Sequence, residues 1–434
     1  MTNKHSLTYS KLWISYYIIL LVLMFISMRP NTMLPMYFRI AMLGLTFIPT
    51  FFKSDLLPFV FLCFYGISSS SFTPILPTEA YYYLIIVLFI YIPYRKKSIF
   101  CVKALMIFSY YFLCSLLHFD TTHTFSWILI VILLSDMVKK EKDIEMLFYG
   151  FIIISTFLSL LYLVHRESYL VQYNRSSLDL ERSGWINSNI FGAVIASGGL
   201  LSISYVTGHL KIKKNIYLIF ACSIIFILSF LALSFNSSRG SLAAFLIPTI
   251  LLIFTSKLKF WIKVLITISS IFLFIIMLNN NVFDLIVHRL QEDTFETGGG
   301  RTIIWQTKIN SFINNSNIMD LLFGIGRNDT NAIGVNISTH NDIVTSFIGF
   351  GIIGLILFVY FIIIYPIKIA GKNMRVYICI LSIYTIIEIN VLEPIFREYI
   401  VFIMFYFFII KYCYIQKTNT HYHEEKDTIC FTNI

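Results

Sequence analysis

The sequence predicts an all-α fold: a polytopic helical bundle embedded in a membrane, with about 12–14 transmembrane helices and one large loop outside the bilayer. Three observations carry this. Of the 434 residues, 57% are hydrophobic and 13% charged, and the mean hydropathy is +0.78, far too apolar for a water-soluble globule. Apolar runs of about 17–20 residues recur, each long enough to cross a hydrocarbon core of roughly 30 Å as a helix. Period-two barrel segments are absent, and in lipid the remaining way for a chain to satisfy its own backbone groups is the helix.

In chain order the spans are 12–28, 34–52, 56–72, 78–94, 99–118, 124–138, 144–164, 186–207, 216–235, 240–256, 260–279, 343–365, 375–392 and 397–412. The pair 34–52 and 56–72 is the weakest, interrupted by Arg39 and the serine run Ser68–Ser71; removing both leaves the orientation unchanged. The run Leu12–Met28 leads into further spans and lacks a small-residue cleavage site, so it reads as a span and not a cleaved signal. The chain thus divides into an N-terminal bundle (1–278) with an extramembrane segment at 165–185, a large polar loop (279–342), closing spans (343–412) and a polar tail (413–434).

Charge sets the orientation. With the N-terminus in the cytoplasm, one set of connections carries 21 Lys and Arg and the opposite set 10, so the positive-inside bias puts both termini inside and the 279–342 loop outside. The net charge of +10 therefore reports topology, not nucleic-acid binding. A second asymmetry is chemical. Inner positions are nearly all lysine, whereas nine of the ten outer ones are arginine. A planar guanidinium suits bidentate recognition of phosphate or carboxylate, so the outer face looks built to hold an anion.

The candidate residues lie on that face. Arg239 follows Asn236-Ser237-Ser238 and precedes Gly240 at a span boundary; it is either an interfacial anchor or an anion ligand that small neighbours let approach closely. Arg301 follows Gly298-Gly299-Gly300, and a helix starting there would add its free first-turn N–H groups to the glycine nest. Trp305 and Ile304 give that helix an apolar side for packing on the bundle. His340, followed by Asn341 and Asp342 at the mouth of a span, is a candidate proton acceptor. Arg182, Arg289 and Arg327 are secondary anion-binding candidates.

No metal or cofactor site is expected. The seven cysteines form no C-x-x-C pair and read as buried small apolar residues, and His421 and His423 lie in a solvated tail. Intramembrane charges are few (Arg39, Lys103, Glu388) and inverted halves are not evident, which argues against a transporter.

The ordered set Ser-Ser-Arg-Gly (237–240), Gly-Gly-Arg-x-x-x-Trp (299–305), Gly-Ile-Gly (324–326), His-Asn (340–341) and Gly-Phe-Gly-Ile-Ile-Gly-Leu (349–355) resembles the O-antigen ligase and polymerase superfamily, most strongly over 180–365. The resemblance implies a bacterial inner-membrane glycosyltransferase working at the periplasmic face on undecaprenyl-diphosphate-linked glycans, without nucleotide sugar or an obligatory metal. It further implies that Arg239 and Arg301 hold the donor diphosphate and that His340 activates the acceptor hydroxyl. Arg182, Arg289, Arg327, Asn341 and Trp305 would then line the diphosphate and glycan site. The segment 175–192, with Arg182, Gly184 and Asn187-Ser188-Asn189, is more similar to polymerases, which join lipid-linked repeat units and work beside a chain-length regulator. The alternative is a ligase, whose acceptor is lipid A-core; a lipid-linked oligosaccharide flippase is the rival of another class.

Overall fold

The computed structural model describes residues 13, 15–24, 35–53, 56–65, 102–117, 138, 141–164, 188–235, 239–265, 268, 275, 279, 301–326, 333–334, 339–372, 374–391, 405–406 and 408–416. Among them the regular structure is helical throughout, with no strand. The helices are α1 (Ser15–Met24), α2 (Met36–Phe52), α3 (Leu57–Val60, continued by a π-helical turn Phe61–Tyr65), α4 (Val102–Leu117), α5 (Glu141–Val164), α6 (Ser188–Val206), α7 (Ile216–Phe235) and α8 (Arg239–Thr255). They continue as α9 (Arg301–Asn315), α10 (Ile318–Phe323), α11 (Asp342–Val359, leading through a π-helical turn Tyr360–Ile364), α12 (Tyr365–Ile369) and α13 (Arg375–Val391). Three continuous helical runs, Glu141–Val164, Ile216–Phe235 and Asp342–Ile369, are long and apolar enough to cross a membrane. The protein is an all-α membrane protein, as the hydropathy requires. Span boundaries at 216–235, 240–256 and 375–392 agree with helices to within a residue or so.

The centre of the bundle is α6, which packs on α5, α7 and α8. Its small residues allow this. A methyl group on Gly198 would overlap Ser155 and the Phe151 carbonyl of α5, and one on Gly199 would meet Ser229 of α7 and Phe245 of α8. Such close approach substitutes for the hydrophobic driving force that helices lack inside lipid. Ser155 Oγ donates to the Ile195 carbonyl (3.0 Å), which leaves it to accept from Ser229 Oγ at 3.0 Å. The last major partner, α13, packs along α8 and ties to α6 through the Tyr384 hydroxyl, which donates to the Ala193 carbonyl (2.9 Å).

The two ends of the bundle differ. One carries Lys211, Lys213, Lys214, Lys257 and Lys259 in the turns after α6 and α8. There the His209 ring stacks on Tyr377 (centroids 5.6 Å apart) with its nitrogens against the hydroxyls of Thr207 and Thr255 (3.0 and 3.1 Å). Burial, reinforced by Lys263, pushes the His209 imidazole below its ordinary pKa. The other end holds the starts of α8 and α11, and we refer to the two as the lysine end and the arginine end.

Helix α11 is broken at Gly351 (φ 69°, ψ −171°). Carbonyls freed by such a break are costly to leave bare in an apolar setting, and three before the break and one after it are met from outside the helix. The N–H groups of Ile325 and Gly326 donate to Ile348 and Gly349 (3.1 and 3.0 Å), and the Tyr110 and Tyr111 hydroxyls of α4 donate to Phe350 and Gly354 (2.9 and 2.8 Å). The contact with the turn after α10 is backbone to backbone. A Cβ on Gly324 (φ 84°) would overlap Gly349 and Phe350, and one on Gly351 would overlap Leu322 and Phe323. Both positions need glycine twice over, for the positive φ and for the space.

Geometry shows what the break does. From Asn341 to Ile369 a straight helix would measure about 42 Å, whereas α13 from Arg375 to Asn390 measures about 22 Å. The two share their ends: a short turn with Met374 N–H on the Gly371 carbonyl (2.9 Å) joins them at one, and an Asn341–Asn390 hydrogen bond (3.0 Å) at the other. The excess is absorbed at Gly351, which swings the start of α11 across the arginine end instead of along it.

Replacing Gly351 with Ala should cost about 2 kcal/mol or more, since strain and a backbone overlap act together. A thermal-unfolding series in detergent checks this, with Gly44→Ala as the control because a methyl there meets nothing within 4 Å.

Candidate functional site at the arginine end

Helix α7 ends at Phe235, whose carbonyl accepts from the Tyr162 hydroxyl (2.9 Å), and α8 begins with Arg239 as its first residue. Helix α9 begins, likewise, with Arg301. Neither helix has an acidic residue in its first turn. This inverts the usual preference. A cation at the positive end of a helix dipole is disfavoured by roughly 0.3–1 kcal/mol, and the four leading N–H groups of each helix lack intrahelical acceptors. Each helix therefore opens on an arginine at the end of its dipole that favours an anion.

Helix α9 is held by one face. Arg301, Trp305, Lys308 and Phe312 recur at helical spacing. Phe312 is fully buried with Val344 and Ile348 of α11, and Trp305, Ile309 and Phe347 pack around them; the Phe312 and Phe347 rings meet edge to face at 5.3 Å. Lys308 is also fully buried, donating from Nζ to the Ile333 carbonyl (3.2 Å). In the sequence Lys308 is the single lysine among the ten outer charges. Its register with Trp305 and Phe312 was the available sign that it turns inward.

Trp305 connects this helix to His340. Its Nε1 donates to the Thr339 carbonyl (2.7 Å), while Thr339 Oγ1 and Thr345 Oγ1 share a hydrogen bond of 2.6 Å. On the other side, Asn341 Oδ1 caps α11 by accepting from the N–H groups of Ile343 and Val344 (2.9 and 3.1 Å), and its Nδ2 donates to Asn390 Oδ1. Between these two fixed neighbours His340 takes a left-handed backbone, φ 50°, the one described non-glycine residue to do so. Such a conformation is strained by roughly 1–3 kcal/mol and persists where its surroundings over-determine it. The half-buried imidazole is therefore aimed by its backbone and not by rotamer choice alone.

The structure thus gathers Arg301, Trp305, His340 and Asn341 through α9 and α11, and Asn390 links them to α13, the partner of α8. Trp305 and Asn341 spend their polar groups on that framework. Only the backbone of Arg239 is described, at the start of α8; Arg182, Arg289 and Arg327 lie outside the described residues. Glu388 on α13 is buried opposite Ser241 of α8, and Asn390 lies two residues beyond it. In sequence Glu388 was one of a few intramembrane charges, and Asn390 carried no signal at all.

Residues 224–359 match a family model described as O-antigen ligase. The match supports the O-antigen ligase/polymerase superfamily for this part of the chain. The O-antigen ligase match takes in Arg239, Arg301, Trp305, His340 and Asn341, together with the α10–α11 glycine contact, and stops short of α13. A search of curated proteins finds no match to the chain.

Replacing Asn341 with Ala removes the cap and the tie to Asn390, and should cost about 1–2 kcal/mol. Asn341→Asp keeps the cap acceptor but lacks the donor to Asn390, so it should fall between wild type and Ala in the same thermal measurement.

Proposed function

We propose that the protein is an O-antigen polymerase, or the polymerase of a similar surface polysaccharide, joining undecaprenyl-diphosphate-linked repeat units at the periplasmic face of the bacterial inner membrane. The observation that carries the reading is the placement of Arg239 and Arg301 as the first residues of two helices, with His340 pinned beside the face that α9 packs on. In the reaction an acceptor hydroxyl attacks the anomeric carbon of the donor sugar. The bond from that carbon to the diphosphate oxygen breaks, and the diphosphate leaves with the bonding electrons. Two guanidinium groups and helix N–H donors stabilise the charge that develops on it. His340 takes the proton from the attacking hydroxyl. Arg182, Arg289 and Arg327 assist in holding the diphosphate or glycan, and a chain-length regulator is the expected protein partner.

The second reading is an O-antigen ligase, with lipid A-core as acceptor. It is favoured by the description of the matching family model, whereas the Arg182–Asn189 segment favours polymerase. Lipopolysaccharide from a strain lacking the gene separates them on a gel. Core carrying a single repeat unit is the polymerase result; bare core, with polymer left on its lipid carrier, is the ligase result.

Two substitutions test the chemistry. Arg239→Lys and Arg301→Lys keep the charge and lose the fork, so each should lower polymer synthesis on the order of 10²-fold or more while the folded protein accumulates normally. Full activity in both would remove the diphosphate clamp. His340→Asn retains a residue that tolerates the left-handed backbone and loses the base. A rate loss of roughly 10²–10⁴-fold is expected in an assay with purified donor.

A further inference from the structure

Among the described residues of the arginine end, Glu388 and Asp342 are fully buried carboxylates without a task in the catalytic reading, and of the two it is Glu388 whose oxygens lack a hydrogen-bond partner. It is 0% exposed, and neither of its oxygens has a hydrogen-bond partner. Ser241, in the first turn of α8, faces it without a hydrogen bond of ordinary geometry. Ser241 lies two residues after Arg239, so the carboxyl group stands within one helical turn of the place where the donor diphosphate is to bind. On its own helix Glu388 is two residues from Asn390, which holds the segment beside His340.

Burying a carboxyl group with its hydrogen-bonding capacity unspent is costly. No packing need in α13 explains it: an apolar residue would fill the same space at less expense. A ligand group arriving at the start of α8 would use that capacity. The expected ligand is itself an anion, however, and two negative charges cannot share a desolvated site. Their coexistence requires a proton between them.

Resting on the diphosphate reading above, we propose that Glu388 is a further residue of the diphosphate site, which carries a proton when the diphosphate is bound and donates a hydrogen bond to one of its phosphate oxygens. Titratable groups on the elements packed against α13 at this end are Arg239 on α8, and His340 and Asp342 at the start of α11. Tyr384 stands one turn back on α13 itself, bonded to Ala193. The described residues of α6 facing α13 bring no charge, and Lys368 of α12 belongs to the lysine end.

The test uses the full chain in detergent with inorganic pyrophosphate as the probe, comparing wild type with Glu388→Gln, which keeps shape and donor but cannot ionise. Dissociation constants are measured between about pH 6 and pH 10, where the ligand's own ionisation affects both proteins equally. Wild-type affinity should fall relative to Glu388→Gln as pH rises, by up to about tenfold per pH unit where the free carboxyl ionises. Parallel curves overturn the inference. Should the Gln variant fail to fold, calorimetry of wild type in buffers of different ionisation enthalpy replaces it. Net proton uptake on binding at the alkaline end supports the inference, and no uptake or net release overturns it. Arg239→Lys and Arg301→Lys separate the two levels. If they weaken pyrophosphate binding while the wild-type and Gln curves stay parallel, the diphosphate site stands and Glu388 is not part of it. If they bind like wild type, or if wild type binds no pyrophosphate, the diphosphate reading fails and takes this one with it.

Discussion

The arrangement of the arginine end depends on a contact between two backbones. A side chain on Gly324 would overlap the backbone of Gly349 and Phe350, and one on Gly351 that of Leu322 and Phe323, and each glycine holds a positive φ. Because of this contact, carbonyls released by the break in α11 find donors in Ile325 and Gly326. Because α11 breaks, its start crosses the bundle and reaches Asn390. His340 is set at the leading edge of that crossing segment, and the Phe312 face of α9 rests on it. Remove the glycine contact and the histidine loses its platform, although nothing within hydrogen-bonding distance of it has changed.

A second constraint is electrostatic. Protein helices favour acidic residues at their starts and basic ones at their ends, yet α8 and α9 both open on arginine with no acid in the first turn. Helix α11 follows the common rule, with Asp342 in its first turn and Asn341 as cap. The contrast within one end of one molecule is what sets α8 and α9 apart as the helices assigned to the ligand in the proposed function. On the proposed function, stability lost at two helix starts would be recovered when the donor diphosphate binds.

Much of this was legible in the sequence. Hydropathy gave the class and several span boundaries, since in a bilayer the length of an apolar run is a direct structural measure. Arg239 and His340 stood out because charge is rare in this chain and each borders a span, and Arg301 because it follows a glycine triplet. Both glycine motifs, at 324–326 and 349–355, were visible as well, but not their contact: pairing across a turn of backbone leaves no periodicity to read. The burial of Lys308 was hidden for a related reason. The lysine stands among Gln306, Thr307 and Asn310 with Ile309 alone apolar, and the tertiary packing of Phe312 decides which face of α9 is inside. Asn390 needed the fold outright, because a lone asparagine near the end of a span has no preferred interpretation until its partner is known.

The unequal lengths of α11 and α13 bear on how a lipid-borne substrate meets the protein. Along α13 only about 22 Å separates Arg375 from the level of His340, against a hydrocarbon thickness of roughly 30 Å. With Arg375 among the headgroups of one leaflet, the floor of the arginine end lies beneath the headgroup plane of the other, a basin in the membrane surface and not a platform above it. On the proposed function, a polyprenyl carrier would present its phosphates there by sliding sideways through the leaflet, its tail never leaving oil. The water-soluble sugars would come down to the phosphates, instead of the phosphates being lifted up to meet them.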